Sequence, residues 1–314
     1  MFQSEMNFGP AKISARHKPF LIAELGLNHN SDIEIGKKMI ATAAACGADA
    51  VKLQSYTTEK FIHPHDPDVK VLYDIFKELE LSLEITQQLS RVAANEGIQF
   101  FSTPLSLDWV RHLQQMGVPA FKLASGDLRN LQLLGALVET GLPLIISTGA
   151  AKWHEIVSTR DFLIKHSVEQ AAFLHCVSLY PTELDKINLG RMARIGKEIC
   201  PVFGFSDHTL GSEAAFGAVL LGAQIIEKHF TLDRQMPGPD QSLSCDPSLL
   251  REVREKIDLA FTIMQGQSDA WPKEFESDFY GKRSLYKLEG EIIALRPRRP
   301  DLPSADEFVV FDKT

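Results

Sequence analysis

From Phe20 onward, short apolar runs alternate with longer stretches whose apolar positions recur at helical spacing. Each run reads as a strand and each longer stretch as a helix. The first run, Phe20 to Leu25, leads into Gly26-Leu27-Asn28-His29-Asn30, and Ser31-Asp32-Ile33-Glu34 then resembles a capping box. It predicts a helix to about Cys46, stopped by Gly47. Ala50 to Gln54 is the second strand, with Lys52 and Gln54 alternating against Val51 and Leu53. Residues 57–80 are longer and more polar than a simple connection, which predicts a lid or flap. Leu83 to Asn95 is amphipathic and helical, and Ile98 to Phe101 is the third strand.

The alternation continues through strands at Ala120 to Ala124, Leu144 to Ile146 and Ala171 to Leu174. Helices are predicted over Leu107 to Met116, Leu131 to Thr140, Trp153 to His166 and Ile187 to Ile199. Then come the run Phe203 to His208, a helix of small and apolar residues, the run Ile225 to His229, and a last helix from Pro247 to Gln265. Eight strand–helix units in about 250 residues predict an α/β fold, a (β/α)8 TIM barrel over residues 20–270. A doubly wound open sheet is the rival, weakened because no Gly-x-Gly-x-x-Gly turn follows a strand. Met1 to Pro19 reads as an N-terminal tail. Residues 271–314, entered at Trp271-Pro272, read as a short C-terminal extension, with strand character from Ser284 to Leu295 and an irregular Pro/Arg-rich stretch after it.

Bulk composition narrows the partners. With 44% hydrophobic and 24% charged residues, the 314-residue chain has the makeup of an ordinary globular protein. Its net charge of -8 argues against a nucleic-acid surface and against docking on anionic lipid. No apolar run reaches the roughly 18 residues a membrane helix needs, and the N-terminus has no apolar signal core, so a cytoplasmic location is expected. Cys46, Cys176, Cys200 and Cys245 are widely spaced and read as buried thiols, forming neither a disulfide set nor a zinc cluster.

In a parallel barrel the C-terminal strand ends open into one mouth. The polar residues at those ends are Glu24, Lys52, Gln54, Ser102, Thr103, Lys122, Ser125, Ser147, Thr148, His175, Ser178, Ser206, Asp207, His208, Glu227 and His229. Lysines, hydroxyls and helix N-termini together make a cradle for phosphate or carboxylate. A single strand lysine can simply pack its stem at the rim; Lys52 and Lys122 in corresponding positions favour the anion site. Lys228 alternates away from Glu227 and His229 and reads as structural.

His208 and His229 end adjacent strands, so they can meet although 21 positions separate them. Two imidazoles leave a metal open for catalysis, with zinc, iron, manganese and magnesium all admissible. His175 is better read as a core hydrogen-bonder than as a third ligand. Glu24 and Glu227 either bridge to the lysines or do acid/base work, the reading preferred here. His29 is a pocket contact or part of its turn, and Asp240 is a turn aspartate or an acceptor for a polyol hydroxyl.

With these residues assembled, the chain resembles the sialic acid synthase family, the phosphoenolpyruvate-dependent nonulosonate synthases. The resemblance is carried by Ala23-Glu24-Leu25-Gly26-Leu27-Asn28-His29-Asn30, Gly47-Ala48-Asp49-Ala50-Val51-Lys52-Leu53-Gln54, Phe101-Ser102-Thr103-Pro104 and Phe121-Lys122-Leu123-Ala124-Ser125-Gly126. It continues through Ser147-Thr148-Gly149, Tyr180-Pro181-Thr182, Ser206-Asp207-His208-Thr209-Leu210-Gly211, Glu227-Lys228-His229-Phe230-Thr231 and Gly238-Pro239-Asp240.

The resemblance implies a metal-dependent transferase that joins phosphoenolpyruvate to the open-chain aldehyde of an N-acylated amino sugar, typically N-acetylmannosamine. The product is a nine-carbon 2-keto acid, released with phosphate. It implies His208 and His229 as ligands of Mn2+ or Mg2+. Lys52, Lys122, Ser125, Ser147, Ser178 and Ser206 would contact phosphoenolpyruvate, Gln54, Tyr180 and Asp240 the sugar, and Glu24 and Glu227 would work at the reacting centre. It also implies a homodimer. Neuraminate, legionaminate, pseudaminate and spore-coat sugars are all open as products. A synthase acting on a phosphorylated sugar and a non-catalytic barrel are the alternatives.

Two departures stand out. Ser31 replaces the family's usual glycine after Asn-His-Asn and is expected to serve as a helix cap. The C-terminal extension reads as a remnant of the family's antifreeze-like domain, so Arg296, Arg298 or Arg299 would have to replace the arginine which that domain gives to the sugar.

Overall fold

The computed structural model describes residues 1–265 and the strands Leu285–Leu288 and Glu291–Ala294. The chain divides into two compact units, Met1–Met264 and Gln265–Thr314. In the second unit the two described strands pair antiparallel, Leu285 opposite Ala294, within the stretch expected to have strand character. The expected boundary at Trp271-Pro272 and the three arginines lie outside the described residues.

The first unit opens with a hairpin, β1 (Met6–Phe8) and β2 (Ala11–Ile13). The barrel strands follow: β3 (Phe20–Gly26), β4 (Ala50–Ser55), β5 (Gln99–Pro104), β6 (Phe121–Leu123), β7 (Leu144–Ser147), β8 (Ala171–His175), β9 (Phe203–Asp207) and β10 (Ile225–His229). All eight run parallel and close on themselves where β10 pairs with β3. Strands covered on both faces need apolar side chains on both, and β3, β7 and β8 are buried along their whole length.

The main outer helices are α1 (Ile33–Ala45), α4 (Leu83–Asn95), α5 (Leu107–Gln115), α6 (Leu131–Glu139), α7 (Trp153–Lys165), α8 (Leu189–Glu198), α9 (Glu213–Leu220) and α10 (Pro247–Met264). In α1, Gly36, Met39, Ile40 and Ala43 are buried at the spacing of one helix face. Its cap differs from the expectation. Asp32 is the N-cap, accepting from the N–H groups of Glu34 and Ile35, whereas Ser31 donates its hydroxyl to the Glu78 carbonyl. Ser31 has φ +56°, a left-handed backbone that takes it out of capping geometry.

The polarity pattern misjudges the first nineteen residues. Met6, Phe8 and Ile13 are fully buried, and the Phe8 ring lies 4.8 Å from Phe20 and 5.0 Å, edge-on, from Phe101. The hairpin therefore closes the N-terminal end of the barrel. Its period-two pattern spans only three residues per strand, too few to stand out in sequence.

Residues 57–80 fold as two short helices, α2 (Thr58–Phe61) and α3 (Lys70–Glu78). They build a separate apolar cluster of Leu27, Tyr56 and Leu79, packed by Phe61, Ile75 and Phe76. Asp108 on α5 anchors the segment, accepting from Thr57 Oγ1 at 2.7 Å and Lys60 Nζ at 3.0 Å. Partial burial alone would raise its pKa, but the Thr57 and Ser106 hydroxyls and the Lys60 ammonium outweigh it and hold the carboxyl at about 2. A depressed carboxyl stabilises the fold above its ordinary value and loses that contribution as pH falls toward the folded value. Hydrogen-exchange protection of residues 57–80 is thus expected to fall selectively in strong acid, and Asp108→Ala to reproduce the loss at neutral pH. Unchanged protection in Asp108→Ala would place the anchor elsewhere.

Among the described residues no helix is long and apolar enough to cross a membrane. The four cysteines are free and buried, as the spacing predicts.

Candidate functional site

Parallel pairing puts chemically unlike residues in one layer at the C-terminal end. Glu24 stands beside both Lys52 and His229, and Glu227 beside Ser206. Alternation points Glu24, Lys52, Lys122, Ser206 and Glu227 inward, and all five are at most 5% exposed. Lys52 pairs with Glu24, lies 3.7 Å from Glu227, and donates to Thr103 Oγ1 at 2.9 Å. Lys122 approaches Glu227 from the other side at 3.5 Å, and Ser206 Oγ donates to Glu227 at 2.8 Å. Two amino groups and two carboxyls from four strands thus share one buried chamber.

The shared chamber splits the two carboxyls. Burial raises the pKa of Glu24, and although Lys52 draws it back, the neighbouring Glu227 charge helps keep it above the usual range. Burial also works against ionised Glu227, but Lys122 and Lys52 together overcome it and hold the group at about 2. Lys52 responds likewise: burial pulls it down, yet Glu227 and Glu24 bring it above its ordinary value. Lys122 faces one carboxylate, and burial with Lys52 nearby leaves it lowered. Two neighbouring carboxyls pushed in opposite directions, Glu24 up and Glu227 down, are an arrangement suited to acid/base work.

Hydroxyls line one side of the chamber. Ser147 Oγ, at the end of β7, is buried without a partner, and Ser125 and Ser178 face each other at 3.3 Å. Gly149 lets the backbone close in, since a Cβ there would sit 2.6 Å from both Cys176 Sγ and Ser178 Oγ. Gln54, half-buried, points the same way as Lys52 one step further out.

On the other side stand the imidazoles. The His208 and His229 ring centroids are 5.7 Å apart, and the half-exposed Tyr180 ring lies 4.2 Å from His208 and 6.0 Å from His229. His208 donates Nδ1–H to the Val177 carbonyl at 2.7 Å, so Nε2 carries the lone pair. His229 Nδ1 is buried without a hydrogen bond, 3.8 Å from Asp240 Oδ2. Burial lowers the pKa of both rings, His229 to about 4, so both are neutral donors at physiological pH. Burial raises Asp240. Two neutral imidazoles beside orphaned carboxylate oxygens fit a divalent cation, although among the described residues no three His, Cys, Asp or Glu groups form a ready-made cage.

Three other expectations are resolved by contacts. His175 Nε2 bonds the Ile187 carbonyl at 2.7 Å, a core contact. His29 is buried, its Nδ1 accepting from the Ser31 N–H, which makes it part of its turn. Lys228 faces outward and pairs with Asp207 at 2.7 Å.

Sequence reading missed the groups that hold the Asp240 loop. Asn28 donates to the Phe230 carbonyl and to Ser244 Oγ, both at 2.8 Å, and Gln241 donates to the Asn28 carbonyl at 3.0 Å. Ser244 Oγ in turn donates to the Asp240 carbonyl. Asn28 lies inside a polar loop motif and Gln241 next to Asp240, but nothing in one sequence links positions 213 apart. A separate cleft of about 510 Å³ at the opposite end of the barrel, lined by Gly9, Pro119, Pro143 and Gln170 among others, holds none of these groups.

Comparison with known proteins gives the chain its family. The chain is 34% identical over 271 residues to the N,N'-diacetyllegionaminic acid synthase of Legionella pneumophila, covering 82% of this chain and 76% of that one. It is 30% identical over 266 residues to human N-acetylneuraminate-9-phosphate synthase, covering 81% and 74%. Its fold superposes on the N-acetylneuraminic acid synthetase of Leptospira borgpetersenii, solved with citrate, at a TM-score of 0.83 and 32% identity, covering 90% of this chain and 97% of that one. Residues 39–269 match the NeuB family, and the chain belongs to it.

Proposed function

We propose that this NeuB-family enzyme condenses phosphoenolpyruvate with the open-chain aldehyde of an N-acylated amino sugar, giving a nine-carbon 2-keto acid and phosphate. The observation that carries the proposal is the buried layer of Lys52, Lys122, Glu24 and Glu227, with the unpartnered Ser147 hydroxyl in the same mouth. Buried ammonium groups and an unpartnered hydroxyl suit a substrate bearing both carboxylate and phosphate. Ser125, Ser147, Ser178 and Ser206 complete that cradle, with Thr103 steadying Lys52. Gln54, Tyr180 and Asp240 form the sugar side.

The steps follow from the split carboxyls. C3 of phosphoenolpyruvate attacks the aldehyde carbon, and Glu24 gives its proton to the developing alkoxide. Water adds to the cationic C2, and Glu227 takes the proton it sheds. The C–O bond to phosphate then breaks, Glu227 returns its proton to the departing phosphate, and the new C2 hydroxyl loses its proton to Glu24. Lys52 and Lys122 steady negative charge on the carboxylate and phosphate throughout. His208 and His229 would hold Mn2+ or Mg2+, which when bound supplies a Lewis acid for the sugar carbonyl.

Gly26 tests the crowding. Its φ is +50°, and a Cβ would lie 3.3 Å from Glu24 Oε1 and from Asp240 Oδ2. Gly26→Ala is expected to cost about 1–2 kcal/mol of stability, with a loss of turnover out of proportion to it.

The proposal is tested by phosphate release from phosphoenolpyruvate with Mn2+ and a series of N-acylated hexosamines, beginning with N-acetylmannosamine. Release that depends on one of these sugars and disappears in His229→Ala supports it. Release with none of them removes it.

A further inference from the structure

We propose that Asp207 and Lys228, which never face the mouth, are a positioning pair that fixes the His208 ring with Nδ1 protonated and Nε2 bare. The two residues are direct partners on β9 and β10, on the strand face packed against the helices, and are at most 2% exposed. That face is ordinarily apolar, and an ion pair there is often no more stabilising than well-packed hydrocarbon of the same volume. Stability alone therefore does not explain it.

Its hydrogen bonds do. Lys228 Nζ donates to Asp207 Oδ2 at 2.7 Å and to the Thr209 carbonyl at 2.8 Å. Asp207 Oδ1 accepts from the Thr209 N–H at 2.8 Å. Both chain neighbours of His208 are thereby tied to the adjacent strand. The Thr182 N–H donates to the His208 carbonyl at 2.9 Å, which holds the residue from the other side. With its backbone tied on both sides, the ring has one orientation in which Nδ1–H meets Val177 O and Nε2 looks toward Ser206 and the mouth.

The test replaces the pair with apolar residues of similar size, Asp207→Leu/Lys228→Met, in the full chain. The primary readout is the nitrogen-15 spectrum of the histidine rings in metal-free protein, with His208 assigned by its loss in His208→Gln. The wild type is expected to show the Nδ1-protonated form, and the folded double variant a mixture of tautomers. Mn2+ affinity, measured by titration with the metal alone, is expected to fall roughly 10- to 100-fold. Affinity for phosphoenolpyruvate is expected to be unchanged.

A folded variant with the wild-type His208 spectrum would overturn the inference. Should the double variant not fold, Asp207→Asn, which keeps an acceptor for Thr209 but removes the charge, is expected to show the tautomer mixture, and a wild-type spectrum there overturns the inference equally. The Mn2+ arm rests on the metal reading proposed above. If the wild type binds no Mn2+, that reading fails, while the ring spectrum still decides the role of the pair.

Discussion

Glu227→Gln is expected to lower the turnover of sugar-dependent phosphate release by about a hundred- to ten-thousand-fold, the range for losing a positioned acid/base group. Glutamine keeps the shape and still accepts from Ser206, so the loss isolates the charge. That charge is also the nearest carboxylate to Lys122, whose pKa burial already lowers. Without it Lys122 has a stronger tendency to shed its proton, and phosphoenolpyruvate meets a weaker cradle. Both kcat and direct affinity for phosphoenolpyruvate are therefore expected to fall, with kcat falling further. A variant with full turnover would remove Glu227 from the chemistry.

Lys52→Met is expected to destabilise the fold by about 3–5 kcal/mol, the usual cost of leaving a buried charge without its partner. Lys52 answers two carboxyls at once, Glu24 and Glu227, and its side chain is 4% exposed, so bulk solvent compensates little for its loss. Lys52→Met/Glu24→Gln removes the carboxyl that Lys52 pairs with and leaves Glu227 with Lys122, so much of the lost stability returns while activity does not. Denaturant unfolding of the single and double variants measures the coupling. Equal losses in both would mean that the Lys52–Glu24 contact contributes little to the fold.

The barrel was legible because its strands are short apolar runs ended by polar residues, and its outer helices each bury one face. Glu24, Lys52, Lys122, Glu227 and the two histidines could be listed because they end those runs. Their mutual distances could not be read, since Lys52 and Glu227 meet only when β10 closes onto β3. Three features were hidden for separate reasons. The Met6–Ile13 hairpin is too short for its alternation to show. The cap of α1 shifts from Ser31 to Asp32 because Ser31 takes a left-handed backbone, which sequence does not announce. The Asn28–Gln241 seam joins the first and last strand loops, a contact that exists only in the closed ring.

Phosphoenolpyruvate labelled with oxygen-18 at the ester oxygen between C2 and phosphorus tests the central claim most directly. With a competent N-acylated hexosamine, all of the label is expected in the released phosphate and none in the 2-keto acid, with one phosphate formed per keto acid. Label retained in the keto acid, or phosphate released at the same rate without sugar, would contradict attack of water at C2 within the Lys52–Lys122 chamber.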